Sequence, residues 1–244
     1  KSLYEKIKAD SIVHVQGRVS KYRDKLQLST NEPMKIEVLE KGQYNESDFV
    51  PGPRKDVESM LKEFMSYIEL VQDPKIKELL SKVFTEEKFN DKFKNQPGAI
   101  EIHHGWIGGL LQHSLEVLEY CKKSWEIFPS LNKDLLIAGA MLHDIGKLEE
   151  IAVTSRIKGT NIGQLVGHLP LSIIFVSNKC DEIAVDKTLK EKLLHIIASH
   201  HGKLEFGSPK EPMLPEAVAV YYADEASSKI TEMLEFIERA KQDT

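Results

Sequence analysis

Apolar positions change period once along this chain, and that change divides it. Val13, Val15 and Val19 share one parity around Gly17. Tyr22-Arg23-Asp24-Lys25 then interrupts, and Leu26 and Leu28 resume the alternation, which predicts a hairpin. Met34, Ile36 and Val38 predict a third strand, about three in all where a closed small barrel needs roughly five. Asp48-Phe49-Val50-Pro51-Gly52-Pro53 favours extended backbone, so the boundary is placed there. Beyond it Val57, Met60, Leu61, Phe64, Met65 and Ile68 mark one helical face. A second helix is predicted over Ile76, Leu79, Leu80 and Val83, with Asp73 as N-cap and Pro74 at its first position. Residues 82–94 mix both charge signs and predict a solvated face. Further helices are expected at 103–123, 133–145, 169–179, 186–200 and 215–241, and a short hairpin or loop over 149–165. The expected fold is mainly α: an all-helical domain over 51–244, preceded by a small incomplete β segment over 1–50.

At 244 residues and 41% hydrophobic content the chain can bury a full core. Its apolar runs are too short for a membrane span and no charged-then-apolar leader opens it, so a cytoplasmic location is expected. A formal net charge of -5 argues against broad electrostatic coating of nucleic acid while leaving room for a local basic groove. Cys121 and Cys180 lack metal-type spacing and are read as reduced packing residues, so any metal must rely on His and carboxylates.

Candidate chemistry centres on Leu142-His143-Asp144-Ile145-Gly146-Lys147. Asp144 has two oxygens and so could bridge two ions, and Gly146 is expected to end the helix that carries it. Each further candidate has a bland explanation alone: His113 on an apolar helix, His168 before Leu169-Pro170, His200-His201 before Gly202, and Asp224. Together they follow the order H…HD…H…HH…D on a helical frame. Lys147 could meet a phosphate oxygen as a point charge or merely complement a helix dipole. Either His103 or His104 could touch substrate or simply pack at a helix start.

That order resembles the HD-domain metal-dependent phosphohydrolases across roughly residues 100–241. Within the class the chain is similar to the YhaM-type 3′-to-5′ exoribonucleases. The words that carry this are Asn95 through His103-His104, Gly109-Leu110-Leu111-Gln112-His113, the His143-Asp144 run, Gly167-His168, and Ser199 through Pro209. The resemblance implies that His113, His143, Asp144 and Asp224 hold one divalent ion, and that Asp144, His168, His200 and His201 hold a second. It makes Asp144 and Lys147 catalytic, with Lys147, His104 and Lys203 contacting substrate. Imidazole and carboxylate without thiolate suit Mn, Fe or Co better than Zn, with Mg open.

The implied activity is a phosphodiesterase acting from the 3′ end of single-stranded RNA or DNA, and a homo-oligomer stays open. The family places an OB-type barrel before the HD domain, which residues 11–40 resemble in part. Tyr22 with Lys21, Arg23 and Lys25 would suit stacking and backbone contact there. Ser227 departs from the pattern, standing where an acidic residue often follows the last ligand by three positions. Two other readings stand beside this one. Hydrolysis of a small nucleotide or cyclic dinucleotide would use the same chemistry, although the Gly-Tyr-Pro element expected of cyclic-dinucleotide enzymes is absent after His201. A binding module with an idle HD fold must explain seven ligand-type residues.

Overall fold

The computed structural model describes residues 3–30, 35–40, 42–45, 48–101 and 103–242. It separates into two compact units: residues 1–50 with 154–156, and residues 51–153 with 157–244.

The first unit opens with a helical turn, α1 (Leu3–Lys6), followed by four short strands: β1 (Val13–Val15), β2 (Arg18–Tyr22), β3 (Lys25–Ser29) and β4 (Ile36–Val38). β2 and β3 form the expected hairpin, with Tyr22 opposite Lys25. Its two-residue turn is Arg23-Asp24, both left-handed (φ 47° and 62°), the backbone that matches strand twist in tight hairpins. The third strand pairs not with this hairpin but with β1, Val13 opposite Val38 and Val15 opposite Ile36. Met34, assigned to that strand, lies outside the described residues. Two separate antiparallel ribbons result, with no closed barrel among the described residues. β2 and β3 are exposed on nearly every residue. Within the same unit, Arg156 Nε donates to Asp10 Oδ1 at 2.8 Å.

The second unit is helical: α2 (Val57–Glu69), α3 (Pro74–Phe84), α4 (Glu87–Asn95), α5 (Gly109–Ile127), α6 (Lys133–Leu142), α7 (Lys147–Glu150), α8 (Asn161–Val166), α9 (His168–Glu182), α10 (Lys187–Ser199) and α11 (Pro215–Gln242). A small hairpin, β5 (Ile151–Val153) and β6 (Ile157–Gly159), falls where a hairpin or loop was expected. Asp73 caps α3 by accepting from the amides of Lys75 and Ile76, as its Asp-Pro start predicts. Phe64, Phe84 and Phe93 meet ring to ring at about 5 Å between centroids, so the charged 87–95 helix still buries one face.

α6 is apolar all round, and every residue from Leu135 to Leu142 is buried; a helix of that composition must run through the core. It packs against α5, whose first ten residues are buried but for Glu116, and α5 packs in turn against α11. Anything carried at the end of α6 or the start of α5 is therefore held deep and rigid. Cys121 and Cys180 are free and buried. Among the described residues no helix is long and apolar enough to cross a membrane.

Two expected boundaries move. α5 starts at Gly109 and not at 103, because the chain doubles back between Gly98 and Gly109: His104 takes φ 60° and its carbonyl accepts from the amides of Gly98 and Trp106. α6 ends at Leu142, followed by turns that lead into α7. Gly146 is right-handed (φ -65°, ψ -18°), so it is not the left-handed stop expected. Its lack of a side chain serves close approach instead: a Cβ there would sit 2.2 Å from the His168 carbonyl oxygen, and its amide donates to Ser172 Oγ at 2.8 Å.

Candidate metal centre

Five helical elements deliver one cluster. α5 supplies His113, the end of α6 His143 and Asp144, the start of α9 His168, the end of α10 His200 and His201, and α11 Asp224. The structure brings all seven together. His113, His143 and Asp144 form one group able to hold a metal ion, and His168, His200 and His201 a second. Asp144 stands between them: Oδ2 lies 3.5 Å from His113 Nε2 and 3.4 Å from His143 Nε2, while Oδ1 lies 3.5 Å from both His168 Nε2 and His200 Nε2. Asp224 Oδ1 joins the first group, 3.2 Å from His113 Nε2.

Each ring turns Nε2 inward and ties Nδ1 outward. Nδ1 of His143 meets the Ala140 carbonyl at 2.9 Å, that of His200 the Ile197 carbonyl at 2.7 Å, and that of His201 the Phe206 carbonyl at 3.2 Å. His168 Nδ1 meets the Glu150 carboxylate at 3.1 Å, and His113 Nδ1 meets Ser227 Oγ at 2.9 Å. A carbonyl or carboxylate can only accept, so those rings carry their proton on Nδ1 and present a lone pair at Nε2. The inward nitrogens then face one another, His113 and His143 at 3.1 Å, His168 and His201 at 3.2 Å. Between His168 and His201 lone pair faces lone pair, an arrangement that repels unless a cation lies between them. His200 Nε2 is buried with no hydrogen-bond partner. The donor set, its inward lone pairs and its buried carboxylates fit divalent ions.

Burial drives the titration of this cluster. It pushes His113 down to about 4 against the pull of Asp224, and His201 down to about 4 with help from His200. Burial lowers His200 as well. His143 goes the other way: burial lowers it, but the charge and hydrogen bond of Asp144 outweigh that and raise it. Burial would raise Asp144, yet Lys147 first and then His143 hold it well below the ordinary carboxylate range.

Lys147 has a partner that neither role weighed for it included, the Asp144 carboxylate. It sits at the start of the four-residue α7, beyond the end of α6, and its Nζ lies 2.7 Å from Asp144 Oδ2 in a buried pair. It also lines a cavity of about 900 Å³ that opens onto the cluster, with Ile100, His103, Phe206, Ser228 and Lys229 on the walls. The two neighbouring histidines separate. His103 faces that cavity, and burial with the charges of Lys147 and His104 lowers it to about 4. His104 is fully buried and donates Nε2–H to Glu116 Oε2 at 3.0 Å, so it supports the site from behind. Lys203 is exposed and not on the cavity wall; its Nζ lies over the Phe206 ring at 5.2 Å and near Glu205.

Two carboxylates escaped sequence reasoning. Glu150 holds His168 by ring and backbone amide together. Glu116 accepts from His104, from Gln112 Nε2 at 2.9 Å and from Ser227 Oγ at 2.8 Å. Burial pushes Glu116 up, but those bonds outweigh it and hold the carboxyl at about 2. Their spacing was the available signal: Glu116 is one helical turn beyond His113, and Glu150 one beyond Lys147. In a chain with 38 acidic residues that signal singles out nothing.

The HD domain family matches residues 110–228. The 3′-5′ exoribonuclease YhaM of Geobacillus sp. (strain WCH70) is 34% identical over 233 residues, covering 95% of this chain and 70% of that protein. No solved structure matches.

Proposed function

We infer an activity from membership: the chain belongs to the HD-domain family of metal-dependent phosphohydrolases that includes the exoribonuclease YhaM. On our reading it removes mononucleotides from the 3′ end of single-stranded RNA, with DNA as the second candidate substrate. Residues 51–244 carry the chemistry and residues 1–50 form a partial OB-like strand guide.

The observation that carries this reading is the convergence of five imidazole Nε2 atoms on both Asp144 oxygens, beside an open cavity that Asp144, His168, His201 and Asp224 line. His113, His143, Asp144 and Asp224 would hold one ion, and Asp144, His168, His200 and His201 the other. Mn, Fe or Co suits this thiolate-free set better than Zn. Divalent ions bound there supply Lewis acidity toward a phosphoryl oxygen and acidify water near neutral pH.

The chain's own residues do the rest. Asp144 and Asp224 bring two negative charges, so with both ions present the site is net positive and Lys147 adds to it, which favours a phosphate in an otherwise acidic protein. Lys147 Nζ, already at Asp144, is the donor placed to meet a phosphate oxygen. Phe206 and Ile100 give this cavity two half-exposed apolar walls, surfaces on which a terminal base can rest. The Nδ1 partners keep each imidazole in one orientation through turnover.

The test is degradation of single-stranded RNA labelled at either end by Mn²⁺-loaded protein. Labelled mononucleotide released at once from the 3′-labelled strand, with a ladder from the 5′-labelled one, is expected. Internal cuts, or hydrolysis confined to free nucleotides and cyclic dinucleotides, would refute it.

A further inference from the structure

We propose that Glu116, acting through Ser227, is the positioning residue that sets the tautomer of His113 and so frees its Nε2 for a metal ion; this rests on the metal reading above.

Four of the five inward-facing rings meet an acceptor that cannot donate back: three backbone carbonyls and the Glu150 carboxylate. Their tautomers follow without further help. His113 alone meets a hydroxyl, Ser227 Oγ at 2.9 Å, and a hydroxyl can point either way. Were Ser227 to donate to Nδ1, the ring proton would have to sit on Nε2, and the ring could no longer serve as a ligand. The Ser227 hydroxyl has one hydrogen to donate. Glu116 Oε2, 2.8 Å from Oγ, claims it, because an ionised carboxylate can only accept. Oγ is left to accept, so His113 must donate from Nδ1.

Glu116 is in turn fixed by donors. Gln112 Nε2 lies 2.9 Å from Oε1 and His104 Nε2 lies 3.0 Å from Oε2. His104 therefore carries its proton on Nε2, opposite to the inward-facing rings, and its place behind the site is that of a clamp on Glu116. The relay also joins two helices. Glu116 lies one turn from His113 on α5, and Ser227 one turn from Asp224 on α11, so a single hydroxyl links both arms of the first cluster. Position 227 offers only a short hydroxyl, and α5 reaches across to provide a carboxylate one hydrogen bond farther out.

The experiment reads the proton directly. Metal-free protein with ¹⁵N-labelled histidine gives long-range ¹H–¹⁵N spectra in which the two tautomers differ, and Mn²⁺ titration calorimetry gives affinity. Wild type should show His113 protonated at Nδ1. Ser227→Ala and Glu116→Ala should both admit the Nε2-protonated form and weaken Mn²⁺ binding about 10- to 100-fold, the usual cost of losing an outer partner. Ser227→Thr, which restores the hydroxyl, should return both readouts to wild type. His113 still protonated at Nδ1 in both alanine variants, with Mn²⁺ affinity within about twofold, would overturn the proposal. So would failure of a folded Ser227→Thr to rescue. If Glu116→Ala does not fold, the two Ser227 variants decide alone. Wild type taking up no Mn²⁺ would sink the metal reading, and the tautomer spectra would still judge the relay.

Discussion

Replacing Lys147 by Met separates two roles that the wild-type side chain combines. Methionine keeps most of the stem and discards the charge, while Asp144 remains buried with an oxygen that had its ammonium partner at 2.7 Å. Removing one member of a buried pair leaves the other uncompensated and costs about 3–5 kcal/mol. For a chain of this size each kcal/mol moves Tm by about 2–4 °C, so the metal-free variant should melt roughly 6–20 °C below wild type. Divalent ions at Asp144 supply the missing positive charge, and most of that gap should close in saturating Mn²⁺. Catalysis should not recover with it. A lost contact to a charged phosphate oxygen is worth about 1.5–3 kcal/mol, roughly ten- to more than a hundredfold in rate. The assay is paired: melting with and without Mn²⁺, and initial rates on bis-p-nitrophenyl phosphate at verified metal content. Wild-type stability without metal would refute the buried pair. Wild-type rates at full metal content would remove Lys147 from substrate binding and leave it only as a charge partner for Asp144.

Three further outcomes are expected. Glu150→Gln takes the anionic acceptor from His168 Nδ1 and should lower Mn²⁺ affinity about 10- to 100-fold by calorimetry, with helix content by circular dichroism unchanged. Metal-free stability should fall as pH drops from about 6.5 to about 4, because His103, His113 and His201 titrate near 4 when folded but near 6.5 when unfolded. In that window the unfolded chain binds more protons, while His143, whose folded value is raised, opposes the slope; urea titrations at stepped pH would expose an inverted sign. Changing Lys21, Arg23 and Lys25 to Ser together with Tyr22→Ala should leave bis-p-nitrophenyl phosphate hydrolysis intact and weaken degradation of long RNA. Its salt slope should shrink by up to about 2, since each lost backbone contact to a single strand removes about 0.7, and an unchanged slope would take this hairpin out of RNA binding.

How far the sequence could be read depends on whether a feature is local. The caps and stripes of α2 and α3 are local, and Asp73-Pro74 begins its helix as expected. The order of the His and Asp residues spans five helical elements but is read from residue type alone, and its seven members meet in space. Where a distant contact partner sets the backbone, periodicity does not show it. His104 is left-handed because its carbonyl serves two amides across a reversed loop, so the helix placed at 103 starts at 109. Gly146 is needed by the start of α9, 22 residues farther on, and not by the end of its own helix. β4 pairs with β1 rather than with the hairpin between them, a choice between equally alternating partners that periodicity does not make.

The same limit applies more sharply inside the site. A histidine announces itself as a ligand by its residue type, but whether its Nε2 holds a lone pair or a proton depends on what touches Nδ1. Those partners are carbonyls three residues back for His143 and His200, and five residues on for His201, which any helix end or following turn supplies. For His168 and His113 they are Glu150 and the Ser227–Glu116 relay, 18 residues back in the first case and 114 on, then back to α5, in the second. Nothing in residue order marks these two carboxylates apart from their solvated neighbours. Yet without them two of the five rings lose the acceptor that aims them. Substitution at Glu116 or Glu150 should therefore be felt as lost metal affinity, although neither carboxylate would touch an ion.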